Sequence, residues 1–277
     1  MITSAKDNAI PRDRADDSGC NPNPVCYEQL APFYADIYER IDADETVRQW
    51  WQLLVEAKLV VDPPEELRLV DIGCGPGWQI KAWCELGFTA VGLDSSPTLL
   101  ASAGALLADK SKQYDLYLAD ILDPDSLPAL PPFDLAVSHF NFLNLFAPEQ
   151  RETVFRSVAR LVRPGGFWMT DFAEPRFPPE SVQETISLPI GVLERKGQYN
   201  NLLECYDQHW QSPAFNSLER FWFGHRDTAP SLASQTGWRL CLRKAWQPYA
   251  PDAAWHKPED NDEVLVDVYE RIVGKQR

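Results

Sequence analysis

The order of apolar and polar positions divides this chain into two stretches with different rhythms. Residues 26–60 predict helices, because Tyr27, Leu30, Phe33, Tyr34, Ile37 and Tyr38 recur at three- and four-residue steps before Pro63-Pro64 breaks the pattern. Residues 67–72 read as a short buried strand entering a glycine loop, and 79–86 as a helix ended by Gly87. Residues 89–93 are a second strand with Asp94 at its tip. Ser96-Pro97 opens a helix through Leu107, with proline at a favoured first-turn position. Residues 116–119 and 133–138 are the third and fourth strands. Between Glu149 and Arg163, the stripe Val154, Phe155, Val158, Leu161 and Val162 predicts a helix stopped by Pro164-Gly165-Gly166, ahead of a fifth strand at 167–172.

Strands alternating with helices at this spacing imply right-handed crossovers and a mostly parallel sheet covered on both faces, an α/β fold. After about residue 173 the rhythm changes. Residues 183–225 are rich in aromatics and in runs suited to antiparallel strands, such as 202–210 and 218–223. A short helix at 231–236 and two closing strands at 238–246 and 264–272 follow. The expected organisation is a flexible arm over 1–25 and one domain over 26–277. Within that domain lie helices at 26–60, a core at 65–172, an antiparallel insertion at 173–228 and a closing segment at 229–277.

Charge narrows the choice of partner. The net charge is −15, and no basic run is present to neutralise phosphates, which argues against nucleic acid or an anionic membrane and is compatible with a neutral or cationic small molecule. No stretch approaches the roughly 18 apolar residues of a membrane span. The six cysteines (Cys20, Cys26, Cys74, Cys84, Cys205, Cys241) include no C-x-x-C pair, so neither a zinc site nor a disulfide framework is expected. Reduced thiols, no metal and a cytoplasmic setting follow as the expectation.

The chemistry concentrates in Gly73-Cys74-Gly75-Pro76-Gly77, between a strand and a helix. Glycines there let the backbone turn tightly and approach a ligand beside a helix N-terminus, although a plain strand-to-helix turn would look the same. Two acids sharpen the reading. Asp94, 21 residues after Gly73, ends the second strand, where a carboxylate can accept both hydroxyls of an adenosine ribose. Asp120 ends the third, where it can take the adenine amine while Ile121 packs on the ring. All three positions fall at the carboxyl ends of adjacent strands, where open α/β sheets place their ligands.

The stretches Val70-Asp71-Ile72-Gly73-Cys74-Gly75-Pro76-Gly77, Gly92-Leu93-Asp94-Ser95-Ser96-Pro97, Ala119-Asp120, 133–138 and 161–167 together resemble the class I S-adenosylmethionine-dependent methyltransferases. The subset most similar is the small-molecule N- and O-methyltransferases, with Tyr27 and Tyr34 standing in the place of lid tyrosines and 140–144 in that of an Asn-containing stretch after the fourth strand. That resemblance implies a Rossmann-like seven-stranded, mostly parallel sheet with helices on both faces, a helical N-terminal lid and an antiparallel insertion after the fifth strand. It implies S-adenosylmethionine as cofactor, with Asp71 and Gly73 near the methionine amine, Cys74 and Gly75 in the same loop and Tyr34 in the lid. It further implies Asp94 and Ser95 at the ribose, Asp120 and Ile121 at the adenine, and Ser138 with His139 on the methionine side. Asn141 departs from the acidic residue often found at its position in that subset.

A nicotinamide-dependent oxidoreductase also uses a glycine loop and a distal acid. Its loop wants G-x-G-x-x-G, whereas position 78 is Trp, and Asp120 would have no task. A methyltransferase-like fold that has lost catalysis is the other alternative, and a macromolecular methyltransferase a third. The expected activity is methyl transfer to an O or N atom of a small acceptor, by a monomer or homodimer. Methyl transfer from an already activated donor needs mainly a close, aligned nucleophile. Four histidines, His139, His209, His225 and His256, are the candidate bases, with Tyr27, Tyr34 and Asp171 as helpers. His139, at the end of the fourth strand, is the best placed, with Tyr27 beside it. The aromatics Trp210, Phe215, Phe221, Trp222, Phe223, Trp246, Tyr249 and Trp255 suit either an acceptor wall or the cover of a sheet edge.

Overall fold

A computed structural model describes residues 21–38, 42–60, 63–110, 113–175, 179–246 and 264–272. The chain enters through α1 (Asn23–Leu30), one 3-10 turn (Ala31–Phe33) and α2 (Tyr34–Ile37), followed by α3 (Ala43–Glu56). The α3 helix forms because Val47, Trp50, Leu53 and Leu54 make one buried stripe. Asp42 caps it by accepting from the Glu45 N–H at 2.9 Å, and Asp44 and Glu45 add favourable charge to the first turn. Next come β1 (Arg68–Ile72), α4 (Trp78–Glu85), β2 (Thr89–Asp94), α5 (Pro97–Leu106), β3 (Tyr114–Leu118), β4 (Phe133–Ser138), α6 (Arg151–Leu161) and β5 (Val162–Ala173). Four antiparallel strands follow: β6 (Val182–Leu188), β7 (Gly191–Asn200), β8 (Cys205–Gln211) and β9 (Asn216–Trp222). The described chain closes with α7 (His225–Gln235), β10 (Trp238–Ala245) and β11 (Val264–Arg271).

The main sheet has seven strands in the order β3-β2-β1-β4-β5-β11-β10. The first five run parallel, and β11 lies antiparallel between β5 and β10. Its two faces carry separate apolar layers, one built on Phe155, Trp168 and Tyr269, the other on Trp50, Trp83 and Met169. The chain moves outward through β1, β2 and β3, then returns to lay β4 on the other side of β1. Strand order therefore reverses between β1 and β4, and a cleft opens beyond their carboxyl ends. The second sheet, β6-β7-β8-β9, presents one face to the N-terminal helices, where Cys26 and Leu30 pack on Leu193 and Trp210.

Several sequence expectations shift. The helices expected over 26–60 are three, the first starting at Asn23, with a 3-10 turn over Ala31–Phe33 between α1 and α2. The helix before β5 ends at Leu161, and Pro164-Gly165-Gly166 is not its stop but lies inside β5, at a register irregularity opposite Phe133 and Leu135. The expected 202–210 strand starts only at Cys205, since residues 201–204 form the turn from β7. The strands β6 and β7 escaped the periodicity reading. The 231–236 helix begins at His225, where the Glu174 carboxylate accepts from the Gly224, His225 and Arg226 N–H groups at 2.8, 2.7 and 3.1 Å and caps it from a distance in sequence. Of the arm expected over 1–25, residues 1–20 with Cys20 lie outside the described residues, as do Tyr249, Trp255 and His256, whereas Asn23 to Val25 open α1 with Asn23 buried. Among the described residues, no helix is long and apolar enough to cross a membrane, and no cluster of metal-binding side chains occurs. Cys26, Cys74, Cys84, Cys205 and Cys241 are free thiols.

Candidate functional site

The cleft at the reversal point is partly open to solvent and is lined by the ends of the central strands and by the N-terminal helices. Its floor is the glycine loop. Gly73, Gly75 and Gly77 all adopt positive φ (74°, 52° and 83°), which L side chains rarely tolerate. The Gly73 and Cys74 N–H groups donate to the Leu93 carbonyl at 2.8 and 3.0 Å, which folds the loop back over β2. A methyl group at Gly73 would sit 3.0 Å from the Phe142 ring, whereas at Gly75 nothing lies within 4 Å, so the loop borders open space there.

Asp94 closes the loop from the other side. One carboxylate oxygen accepts from the Gly75 N–H and the other from the Ser96 N–H, both at 2.8 Å. Burial raises its pKa, and those backbone donors oppose the rise. Asp120 is shaped by its own turn: its Oδ1 accepts from the Leu122 N–H at 2.8 Å, and its backbone N–H donates to the Ser126 hydroxyl at 2.9 Å. Ile121, Leu127 and Leu93 add an apolar wall beside it.

Asp71 sits in the sheet behind this floor. Its Oδ2 is buried without a hydrogen-bond partner among the described residues. Burial, and then the Asp94 charge, push its pKa up to about 8. His139 lines the cleft with its ring centroid 3.9 Å from that of Trp50, tilted by 34°. Neither imidazole nitrogen has a partner among the described residues, and burial pushes its pKa down to about 3. The residues after it are held in an unusual conformation: Phe140 and Asn141 both adopt positive φ, at 62° and 58°. The Asp171 carboxylate stabilises that bend by accepting from the Asn141 and Phe140 N–H groups at 2.7 and 3.1 Å, while burial pushes its pKa up to about 7.

The roof comes from the N-terminal helices. Tyr27 and Tyr34 line the cleft with ring centroids 6.2 Å apart, and Tyr34 lies 5.7 Å from Trp78 at the start of α4. Two anchors hold this roof. Glu28 accepts from the Ser96 hydroxyl at 2.5 Å and from the Thr98 N–H at 3.3 Å, at the start of α5. Buried Asn23 donates to the carbonyls of Leu145 and Arg220 (3.0 and 2.8 Å) and accepts from the Arg220 N–H at 2.7 Å, joining α1 to β9.

Of the residues singled out in the sequence, the cleft brings together Tyr27, Tyr34, Gly73, Gly75, Asp94, Ser95, Asp120, Ile121 and His139. Cys74 packs its sulfur in the apolar layer beneath the sheet. Ser138 is tied to Thr170 (2.7 Å) and to the Trp168 indole (3.1 Å), away from the cleft. His225 is buried against Phe172, and His209 stands on β8. Sequence reasoning passed over Glu28, Asn23, Trp50 and Glu219, because nothing local distinguishes them from surface or packing residues.

An S-adenosyl group fits these donors. Asp94 has carboxylate oxygens that can accept from a ribose, and Asp120 with Ile121 and Leu127 suits an amine-bearing flat ring, whereas Asp71, expected at the methionine amine, is buried behind the lining with its Oδ2 unpartnered among the described residues.

Comparison with known proteins agrees with this geometry. Residues 69–166 match the family model described as a methyltransferase domain. A stretch of 101 residues is 33% identical to malonyl-[acyl-carrier protein] O-methyltransferase of Buchnera aphidicola subsp. Baizongia pistaciae (strain Bp) and covers 36% of this chain and 37% of that relative. Among solved structures, an S-adenosylmethionine-dependent methyltransferase of Clostridium acetobutylicum ATCC 824 superposes with a TM-score of 0.70 at 15% identity, covering 90% of this chain and 100% of that one. CalS10 of Micromonospora echinaspora, an amino pentose methyltransferase solved with S-adenosylmethionine bound, has a TM-score of 0.63 at 14% identity over 86% of this chain and 96% of its own.

Proposed function

We propose that this chain, with a methyltransferase domain at residues 69–166 and the class I fold around it, transfers a methyl group from S-adenosylmethionine to an N or O atom of a small molecule. The observation that carries the reading is the meeting of Gly73, Asp94 and Asp120, from the ends of three successive strands, in one roofed cleft. Bound S-adenosylmethionine supplies an activated methyl group on a sulfonium. The chain's own residues bind and orient. Asp94, Ser95 and Gly75 hold the ribose, Asp120 and Ile121 the adenine, and Gly73 with Asp71 the amino-acid end. Tyr34 and Trp78 offer ring faces to a cation.

The N-terminal helices and the segment after β4 line the remaining side of the cleft, where an acceptor would enter. His139, neutral at physiological pH because burial disfavours its charged form, lines the reacting end and can accept a hydrogen bond there. Calorimetric titration with S-adenosylmethionine, followed by a mass search for acceptors that gain one CH2 unit, tests the reading. Absence of binding heat, and of any competition with the demethylated product, overturns it.

A further inference from the structure

Next to Tyr27 lies a carboxylate that the reading above leaves without a task. Glu219 stands on β9, fully buried, and three neutral groups donate to it: the Tyr27 hydroxyl to Oε1 at 2.7 Å, and the Gln208 amide and Trp210 indole to Oε2 at 2.7 and 2.9 Å. Desolvation makes an isolated buried carboxylate costly, and apolar packing would join β8, β9 and α1 without that cost. Tyr27 links this carboxylate to the cleft, since it is one of the lining residues and its hydroxyl donates to Glu219.

We propose that Glu219 and Tyr27 form a proton-accepting couple for an ammonium-bearing acceptor, which makes the acceptor atom nitrogen. The inference rests on the methyltransferase reading and adds its substrate class. An ammonium in the cleft donates a proton to the Tyr27 oxygen as the Tyr27 proton passes to Glu219. The freed nitrogen lone pair forms the new N–C bond while the C–S bond breaks and its electron pair stays on sulfur. An alkylammonium near the lysine value of about 10.4 can yield its proton to such a couple, whereas an alcohol, near the 15.7 of water, is far harder to deprotonate.

The surroundings suit a proton acceptor. Burial raises the carboxyl of Glu219, and its three donors, then the charge of Arg195, oppose the rise. Arg195, on β7, is itself paired with Glu184 of β6 at 2.7 Å. From the N-terminal helices Cys26, Tyr27 and Tyr38 face the same carboxylate, and burial holds all three protonated at neutral pH. Ser217 beside it on β9 is neutral. Of these groups, the carboxylate is the one whose charged form burial disfavours and which can take up a proton.

The test compares wild type with Glu219→Gln and Tyr27→Phe. A glutamine can still accept from Gln208 and Trp210 while its NH2 group faces Tyr27, and phenylalanine removes one oxygen only. Thermal melting and calorimetry with S-adenosylmethionine check that each variant folds and binds the donor. Each protein is then incubated with S-adenosylmethionine and a set of primary and secondary amines with their matched alcohols. Expected are methylated amines from wild type, an approximately 100-fold lower kcat for both variants at pH 7 with donor affinity unchanged, and recovery of rate as pH rises and the free amine becomes abundant. An unaltered pH profile in Glu219→Gln, methylation of alcohols alone, or donor binding with no amine methylated would each overturn the inference. Failure of wild type to bind S-adenosylmethionine would instead sink the methyltransferase reading.

Discussion

Asp94 does two jobs that pull in the same direction. Its oxygens hold the Gly75 and Ser96 N–H groups, so the glycine loop and the α5 start are set before any ligand arrives. Asp94→Ala removes both the loop's tether and the proposed ribose contact. The dissociation constant for S-adenosylmethionine should rise at least tenfold, about 1.4 kcal/mol, in calorimetry. Full affinity in that variant contradicts the binding model. Asp71 and Asp171 make a second residue-scale expectation. Their pKa values are pushed up to about 8 and about 7, so the native state keeps protons that the unfolded chain releases above about pH 4. Stability from that proton binding is complete below the unfolded value and is lost as pH rises through the folded ones. His139 acts oppositely: with its pKa pushed down to about 3, its contribution is lost as pH falls below about 6.5. Between roughly pH 6.5 and 8.5 the carboxyls dominate. The melting temperature of the ligand-free protein should fall across that window, and Asp71→Asn should flatten the slope. A melting temperature that climbs there refutes the assignment.

At the level of elements, the roof is held by polar contacts as well as by apolar area. Asn23 fastens α1 to β9 and to the segment after β4 through three side-chain hydrogen bonds, all at buried or part-buried positions. Asn23→Ala leaves the Arg220 backbone groups unpaired and should cost about 2 kcal/mol. That corresponds to a drop of roughly 4–8 °C in melting temperature. Hydrogen exchange should quicken in α1 and β9 and stay unchanged in β1 and β4. Uniform quickening across both sheets would show that α1 is not a separable roof. Helix α6 and strands β1, β2, β4 and β5 were readable because each buries a periodic stripe or a continuous apolar run, and α5 from its Ser96-Pro97 start. Strands β6 and β7 were not, since their inward positions mix Glu184, Arg195 and Gly197 with apolar residues and Val192 faces outward.

The whole molecule carries a net charge of −15, and self-repulsion opposes the compact state. Raising salt from about 10 to about 300 mM shortens the Debye length from roughly 30 Å to well under 10 Å, so the melting temperature should rise. A fall with salt would mean that exposed attractive pairs such as Arg156–Glu152, at 2.7 Å, outweigh the repulsion. The same acidity gives a cationic acceptor an on-rate that declines with ionic strength, in agreement with the ammonium class assigned to the Glu219 couple.

The sequence by itself determined which strand ends meet in the cleft. Gly73, Asp94 and Asp120 lie at strand ends, and strand order in a parallel α/β sheet is restricted enough by crossover handedness to bring those ends together. Local spacing therefore sufficed for the glycine loop and for the two acids. Only the tertiary structure decided what roofs that cleft. The bond from Tyr27 to Glu219 spans 192 residues and that from Asn23 to Arg220 spans 197. No periodicity links such residues. They meet because a helix at one end of the chain packs on a sheet near the other, and burial then turns an ordinary glutamate into a shielded carboxylate one tyrosine away from the cleft.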